Sequence, residues 1–228
     1  MYNIIENRYL ADDMYLMKVE GNFKGEMGQF YMLRTESNYP LLSRPISICD
    51  IDENSITFLY KVFGEGTKIF SKLRVGDKIN LEGPYGKGYE KVDGKVALVG
   101  GGIGIAQLYL VAKNIKNCDA YLGFRNEAVL VDEFKGVCKD VFVATNNEFV
   151  TKYLDVSKYD YILTCGPTPM MKSLVKMTEN TNTKIMVSLE NHMACGVGAC
   201  LVCTCKTTLG NKKTCKDGPV FWGEEVIF

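Results

Sequence analysis

Apolar and polar positions alternate in short runs along residues 1–92. Residues 15–19, 29–33, 45–48 and 55–62 carry β-branched or aromatic side chains at strand spacing. Glu53-Asn54, Gly76-Asp77 and Gly83-Pro84 punctuate these runs as turns. Short strands at regular intervals predict a small antiparallel barrel. One helix is expected in this half, over residues 66–73, where Ile69, Phe70 and Leu73 share a side.

From residue 93 the pattern changes. Residues 96–113 form an apolar run, a glycine cluster and then a helical segment. Further strands are expected at 120–124, 141–144 and 161–164, a helix over 170–177, and a last strand at 186–190. Strands alternating with helices predict a parallel sheet with flanking helices. Residues 191–228 are rich in cysteine and form a third, smaller part. The chain thus divides at 1–92, 93–190 and 191–228 into an all-β barrel, an α/β domain and a C-terminal module. No internal repeat or low-complexity linker interrupts it.

A length of 228 residues supports more than one core. Equal numbers of basic and acidic residues, 27 of each, leave no electrostatic footprint for nucleic acid or an anionic membrane. No apolar run approaches the ~20 residues that span a bilayer. The N-terminus lacks a basic region followed by an apolar stretch, so no signal peptide is expected. Of nine cysteines, Cys49, Cys118, Cys138 and Cys165 are scattered without a disulfide framework, which points to a reducing cytoplasm.

The other cysteines carry the most specific chemistry. Cys195, Cys200 and Cys203 are spaced C-x4-C-x2-C, and Cys215 follows after eleven intervening residues. This is the plant-type spacing for a 2Fe–2S cluster. Gly196 and Gly198 give the loop permissive dihedrals and let backbone N–H groups turn towards the sulfurs. Zinc is the alternative, but its ligands usually come as two short C-x2–4-C knuckles. Cys205 reads as a bystander.

Gly100, Gly101, Gly102 and Gly104 lie between a strand and a helix, the layout that seats a dinucleotide pyrophosphate on a helix N-terminus. The spacing is more compact than G-x-G-x-x-G, and packing alone accounts for one such glycine better than for four. Cys165, Gly166 and Pro167 end a sheet strand, where open α/β sheets bind ligands. In the first half, Arg44-Pro45-Ile46-Ser47 offers an arginine suited to a phosphate. Gly64-Glu65-Gly66-Thr67 opens a helix whose N–H groups can meet a pyrophosphate. Taken singly, a surface turn and a helix cap explain these two stretches as well.

In this order the parts resemble the ferredoxin–NADP reductase superfamily with a C-terminal cluster. More closely, they are similar to the electron-transfer subunits of NAD-linked, class 1B dihydroorotate dehydrogenases. The resemblance spans essentially the whole chain and is most specific over residues 188–200 and 215–221. It implies an oxidoreductase subunit with a flavin-binding barrel, bound FAD, one 2Fe–2S cluster and NAD as exchangeable co-substrate. Arg44, Pro45, Ile46 and Ser47 match the family's first FAD segment, with Ser47 near the flavin N5. Leu59, Tyr60 and Lys61 match the second, and Gly66 and Thr67 the pyrophosphate contact. The loop from Gly100 to Gly104 and Cys165, Gly166 and Pro167 would face NAD, and Cys195, Cys200, Cys203 and Cys215 would hold iron.

The resemblance also implies a partner, the FMN-containing catalytic subunit, in a heterotetramer of two chains of each kind. Dihydroorotate would be oxidised there, and electrons would pass through the cluster and FAD here to NAD+. No residue of this chain would need to be a general acid or base. One departure is Ile105-Ala106-Gln107, where these reductases often have Thr or Val and then Pro. His192 is expected to support the cluster's surroundings, and Glu190 to be hydrogen-bonded locally. Arg125 is placed to meet either a 2′-phosphate or solvent. Three alternatives stay open: a related reductase serving a sulfide dehydrogenase or a ferredoxin-linked transhydrogenase, an FMN-containing reductase, and a zinc-stabilised binding module without redox function.

Overall fold

The structure, a computed structural model, describes residues 1–35 and 39–228. Among the described residues six strands close into an antiparallel barrel in the order β1-β2-β5-β4-β3-β6. They are β1 (Tyr2–Ala11), β2 (Met14–Glu20), β3 (Phe30–Arg34), β4 (Arg44–Ile51), β5 (Ser55–Lys61) and β6 (Lys78–Tyr85). Between β5 and β6 lies the short helix α1 (Glu65–Phe70). Alternate residues such as Met17, Val19, Ile56 and Phe58 fill the interior and are fully buried, as strand periodicity requires.

Two features of the barrel differ from the sequence reading. Residues 2–11 form its longest strand, β1, which was not among the expected strands. The pair Gly83-Pro84, expected as a turn, lies inside β6. Met32 pairs with Glu82 and Phe30 with Tyr85, so Gly83 and Pro84 together oppose Tyr31 alone. The breaker residues make a bulge there instead of ending the strand.

The α/β half begins with β7 (Val96–Gly101), continues through α2 (Ile105–Asn114), β8 (Cys118–Gly123), α3 (Val131–Lys135) and β9 (Val141–Ala144), and then crosses back. β10 (Tyr161–Cys165), α4 (Thr168–Thr178) and β11 (Lys184–Ser188) extend the sheet on the other side of β7. The parallel order is β11-β10-β7-β8-β9. The direction of winding reverses between β7 and β10, and their C-terminal ends there form a crevice suited to ligands.

Helix α2 is the joint between the halves. Ile105 to Leu108 and Leu110 to Ala112 are all buried. Its Ile105, Leu108 and Val111 sit in one core with Leu98 of the sheet and Cys49 and Leu59 of the barrel, while Leu110 packs into the barrel interior. A helix apolar on nearly every side is one with protein on nearly every side.

In the C-terminal part, β12 (Thr204–Thr207) and β13 (Gly210–Lys213) form a hairpin, and β14 (Val220–Trp222) follows. The sheet was expected to end at 186–190. Instead β14 adds to it, antiparallel to β11, with Met186 opposite Trp222 and Ser188 opposite Val220. A three-residue strand is too short to show a period in the sequence.

Candidate functional site

A cavity of about 530 Å³ opens between the barrel and the sheet. Pro45, Ile46 and Ser47 of β4 and Leu59, Tyr60 and Lys61 of β5 form its barrel wall, so the two expected flavin segments meet. Their strands are hydrogen-bonded neighbours. Tyr60 presents little of itself to the cavity. Its ring packs edge-on against Phe70, and its hydroxyl donates to Asn7 Oδ1 at 3.0 Å. Burial pushes that hydroxyl well above the usual tyrosine range.

Arg44 reaches back over α1. A Cβ on Gly66 would stand 2.8 Å from Arg44 Cζ, so a side chain there would displace the guanidinium from this position. Thr67 is beside them, its Oγ1 accepting the N–H groups of Phe63 at 3.0 Å and Gly64 at 3.3 Å. The structure thus brings Arg44, Gly66 and Thr67 together, with Thr67 shaping the helix start.

On the sheet side, Gly100 of β7 lies in register with Cys165 of β10. The two loops that follow press together. A Cβ on Gly101 would meet Pro167 Cδ at 2.7 Å, and one on Gly166 would meet the Gly101 nitrogen at 2.8 Å. A Cβ on Gly104 would meet the Cys165 backbone as well, whereas one on Gly100 would meet the Ile105 and Leu108 side chains. Gly102 differs: its φ is +55°, and its missing side chain would point into open space.

The fully buried Cys165 thiol joins two residues of the cavity wall. Gln107 Nε2 donates to its Sγ at 2.8 Å, and the Sγ–H reaches Glu190 Oε1 at 3.5 Å. Burial, reinforced by the Glu190 carboxyl, pushes the thiol far up, so it stays protonated and can donate. Glu190 is exposed along the rim but hemmed in by the walls, and that desolvation raises its carboxyl above the usual range. Its partner is thus Cys165, distant in sequence, where a local partner was expected. His192 also lines this cavity, on its exposed rim. Neither the Gln107–Cys165 nor the Cys165–Glu190 contact has a sequence signature, because each joins separate elements.

The cysteine loop is wired by backbone N–H groups. Cys195 Sγ accepts from Ala199 at 3.3 Å and Cys200 at 3.4 Å, Cys215 Sγ from Gly198 at 3.0 Å, and Cys203 Sγ from Cys215 at 3.4 Å. Gly196 and Gly198 hold φ of +71° and +81°, which turns these donors inward. The N–H groups of Cys200 and Val197 bring the Cys195 thiol down to about 6. Cys215 is pushed up to about 12, first by burial and then by the Cys203 thiol beside it.

The cysteines associate as two pairs: the Cys200 N–H donates to Cys195 Sγ and the Cys215 N–H to Cys203 Sγ. Among the described residues no three ligand-type side chains converge on one metal position. Two pairs of thiols suit a cluster in which each of two irons takes two thiolates. Cys205 stands apart on β12, its thiol directed to the Lys212 carbonyl.

One layer of side chains separates the cysteines from the cavity. Phe30 and Met193 line the cavity, and both belong to the apolar cluster containing Met32, Cys203 and Cys215.

A barrel and a parallel α/β sheet that meet at a cavity, with paired cysteines behind its wall, define an oxidoreductase of the ferredoxin-reductase-like fold with an iron–sulfur module. Residues 190–227 match the iron–sulfur cluster binding domain of dihydroorotate dehydrogenase B. The chain belongs to the family of dihydroorotate dehydrogenase B (NAD(+)) electron transfer subunits. It is 46% identical to the Clostridium acetobutylicum member, over 98% of this chain and 95% of that one. It is 44% identical to the Clostridium perfringens member, over 98% and 96%. Among solved structures it resembles one described as an NADH-dependent reduced ferredoxin–NADP oxidoreductase. The TM-score is 0.90 at 30% identity, over 100% of this chain and 90% of that chain.

Proposed function

We propose that this chain carries electrons from a dihydroorotate-oxidising catalytic subunit to NAD+, with FAD in the cavity and a 2Fe–2S cluster on the cysteine loop. The observation that carries the reading is the shared wall. Phe30 and Met193 touch the cavity on one side and pack with Cys203 and Cys215 on the other. Two redox groups held there would be separated by little more than these side chains.

The residues present suit both groups. Arg44 offers a cation for the pyrophosphate, beside the helix start at Gly66 and Thr67. Pro45, Ile46, Ser47, Leu59, Tyr60 and Lys61 present a flat, largely apolar wall with the Ser47 hydroxyl in it. Cys195, Cys200, Cys203 and Cys215 offer four thiols in two pairs, with N–H donors already directed at Cys195, Cys203 and Cys215. When bound, FAD exchanges a hydride with a nicotinamide and single electrons with an iron–sulfur cluster, which joins one-electron to two-electron chemistry. Gly100, Gly101, Gly102 and Gly104 with Cys165, Gly166 and Pro167 form the floor on which NAD would lie.

The partner is an FMN-containing catalytic subunit in a two-plus-two heterotetramer, in the cytoplasm. Nine free cysteines suit that reducing setting. Among the described residues no helix is long and apolar enough to cross a membrane.

The test is anaerobic, dihydroorotate-dependent reduction of NAD+ by the chain loaded with FAD, iron and sulfide and mixed with the catalytic subunit from the same source. Reduction should need both proteins and should be abolished by Cys200→Ser. If NADH reduces the loaded chain but no electrons pass to or from orotate, the partner assignment is wrong.

A further inference from the structure

Gln107 follows the glycine loop, and the structure gives it an unusual position. It stands in the first turn of α2, is 3% exposed, and lines the cavity. Its Nε2 is occupied by the Cys165 thiol. Its Oε1 is buried and accepts no hydrogen bond. An amide oxygen in this state is costly unless a donor reaches it. The orientation of the amide is fixed by its neighbour. The Cys165 proton is directed to Glu190, which leaves a sulfur lone pair for the Gln107 NH2 and turns the oxygen the other way.

Gln107 belongs to the sheet side of the cavity. It follows the glycine loop and adjoins the end of β10, at the crevice where open sheets hold their ligands. The flavin segments form the opposite wall. A ligand that enters along the sheet side and presents an N–H can satisfy Gln107 Oε1. A nicotinamide ring carries one such group, the NH2 of its 3-carboxamide. We infer that Gln107 Oε1 accepts this N–H and makes Gln107 a specificity-determining residue for the pyridine ring. The inference rests on the reading of the chain as an NAD-reducing subunit.

Glu190 and Cys165 complete the arrangement. The thiol bridges the carboxamide of Gln107 to the carboxyl of Glu190, so the orientation of Gln107 is set by a chain of three side chains drawn from α2, β10 and the segment after β11. Proline at this position, which lacks any such oxygen, would leave the pyridine ring without this acceptor.

The test measures binding, not turnover. The FAD- and cluster-loaded chain, in complex with its catalytic subunit, is titrated with NAD+, with 3-acetylpyridine adenine dinucleotide and with thionicotinamide adenine dinucleotide. The acetyl analogue lacks the N–H donor, whereas the thioamide keeps it. Wild type should bind NAD+ and the thioamide alike, and the acetyl analogue about tenfold more weakly. Gln107→Met should lose about tenfold for NAD+ and little for the acetyl analogue, so that the preference vanishes.

A wild type that does not distinguish the acetyl analogue overturns the inference, even if no variant folds. So does a preference that survives in Gln107→Met. If NAD+ binds with neither of these signatures, only the role of Gln107 fails. If the loaded complex binds none of the three dinucleotides, the NAD-reducing function fails with it.

Discussion

Gly104 lies so close beneath Cys165 that a Cβ there would stand 2.6 Å from the Cys165 carbonyl carbon and 2.7 Å from the Gly166 nitrogen. Both neighbours are backbone, so neither can rotate away. Gly104→Ala should therefore push the two loops of the crevice apart, destabilising the chain by about 1–3 kcal/mol and weakening NAD+ binding. Gly102→Ala should act through left-handed strain alone, about 1 kcal/mol, since nothing lies within 4 Å of its missing side chain. Denaturant midpoints and NAD+ titrations of both variants check this. A Gly104→Ala protein as stable as wild type would falsify the packing account.

The glycine loop and the cysteine loop were legible in the sequence because their chemistry imposes spacing. A cluster fixes where thiols stand, and two loops in backbone contact exclude side chains. The barrel was legible from alternation, yet β1 was not. Its run of Asn7, Arg8 and Tyr9 mixes polar and aromatic residues, half facing solvent. Gly83-Pro84 reads as a turn in the sequence but lies inside β6, because a break in a strand makes either a turn or a bulge and only the pairing with β3 decides. Gln107, Cys165 and Glu190 lie on three elements, and nothing local announces their meeting.

Asp52 contributes to the acid side of stability. In the turn between β4 and β5 its carboxyl accepts from Ser55 Oγ at 2.7 Å and the Asn54 N–H at 2.9 Å, and Lys18 Nζ lies 3.0 Å away. The Ser55 hydroxyl foremost, then the Asn54 N–H, holds it well below the ordinary carboxylate range. The folded state thus favours the ionised form. Its stabilisation is present above the unfolded value of about 3.9 and is lost as pH falls through the folded value. Asp52→Asn should flatten the acid limb of a plot of urea midpoint against pH between about pH 5 and pH 2. An acid limb as steep as that of wild type would show that other carboxylates govern it.

Cys205 and Cys203 are two residues apart but should behave oppositely. Cys203 is 2% exposed within the cluster of Phe30, Met32 and Cys215, whereas Cys205 points across the hairpin to the Lys212 carbonyl of β13. Cys205→Ser should retain about two irons and two sulfides per chain, and Cys203→Ser should retain neither in stable form. Iron and acid-labile sulfide analysis decides. Equal loss in both variants would mean the ligand set is misassigned.

Asn7 supports the flavin wall from behind. It accepts the Tyr60 hydroxyl, and its Nδ2 donates to the carbonyls of Phe70 and Leu73, each at 2.8 Å, closing the end of α1. Tyr60→Phe should cost about 1 kcal/mol, while Asn7→Ala, which strips partners from three groups, should cost on the order of 2–3 kcal/mol. Flavin retention on dilution should fall in the same order. Equal unfolding midpoints for the two variants would show that Asn7 acts only through Tyr60.

The pairing of β14 with β11 has a topological consequence. The chain leaves the sheet after Ser188 and re-enters it at Val220, directly alongside. Everything between, the whole cysteine module, is the head of a hairpin whose stem is two adjacent strands. The two ends of that head stand one strand spacing apart, about 4.8 Å. A tight turn could bridge such a gap. The sheet thus carries the module as an insertion between two paired strands, one that also packs Cys203 and Cys215 against Phe30 and Met32 of the barrel.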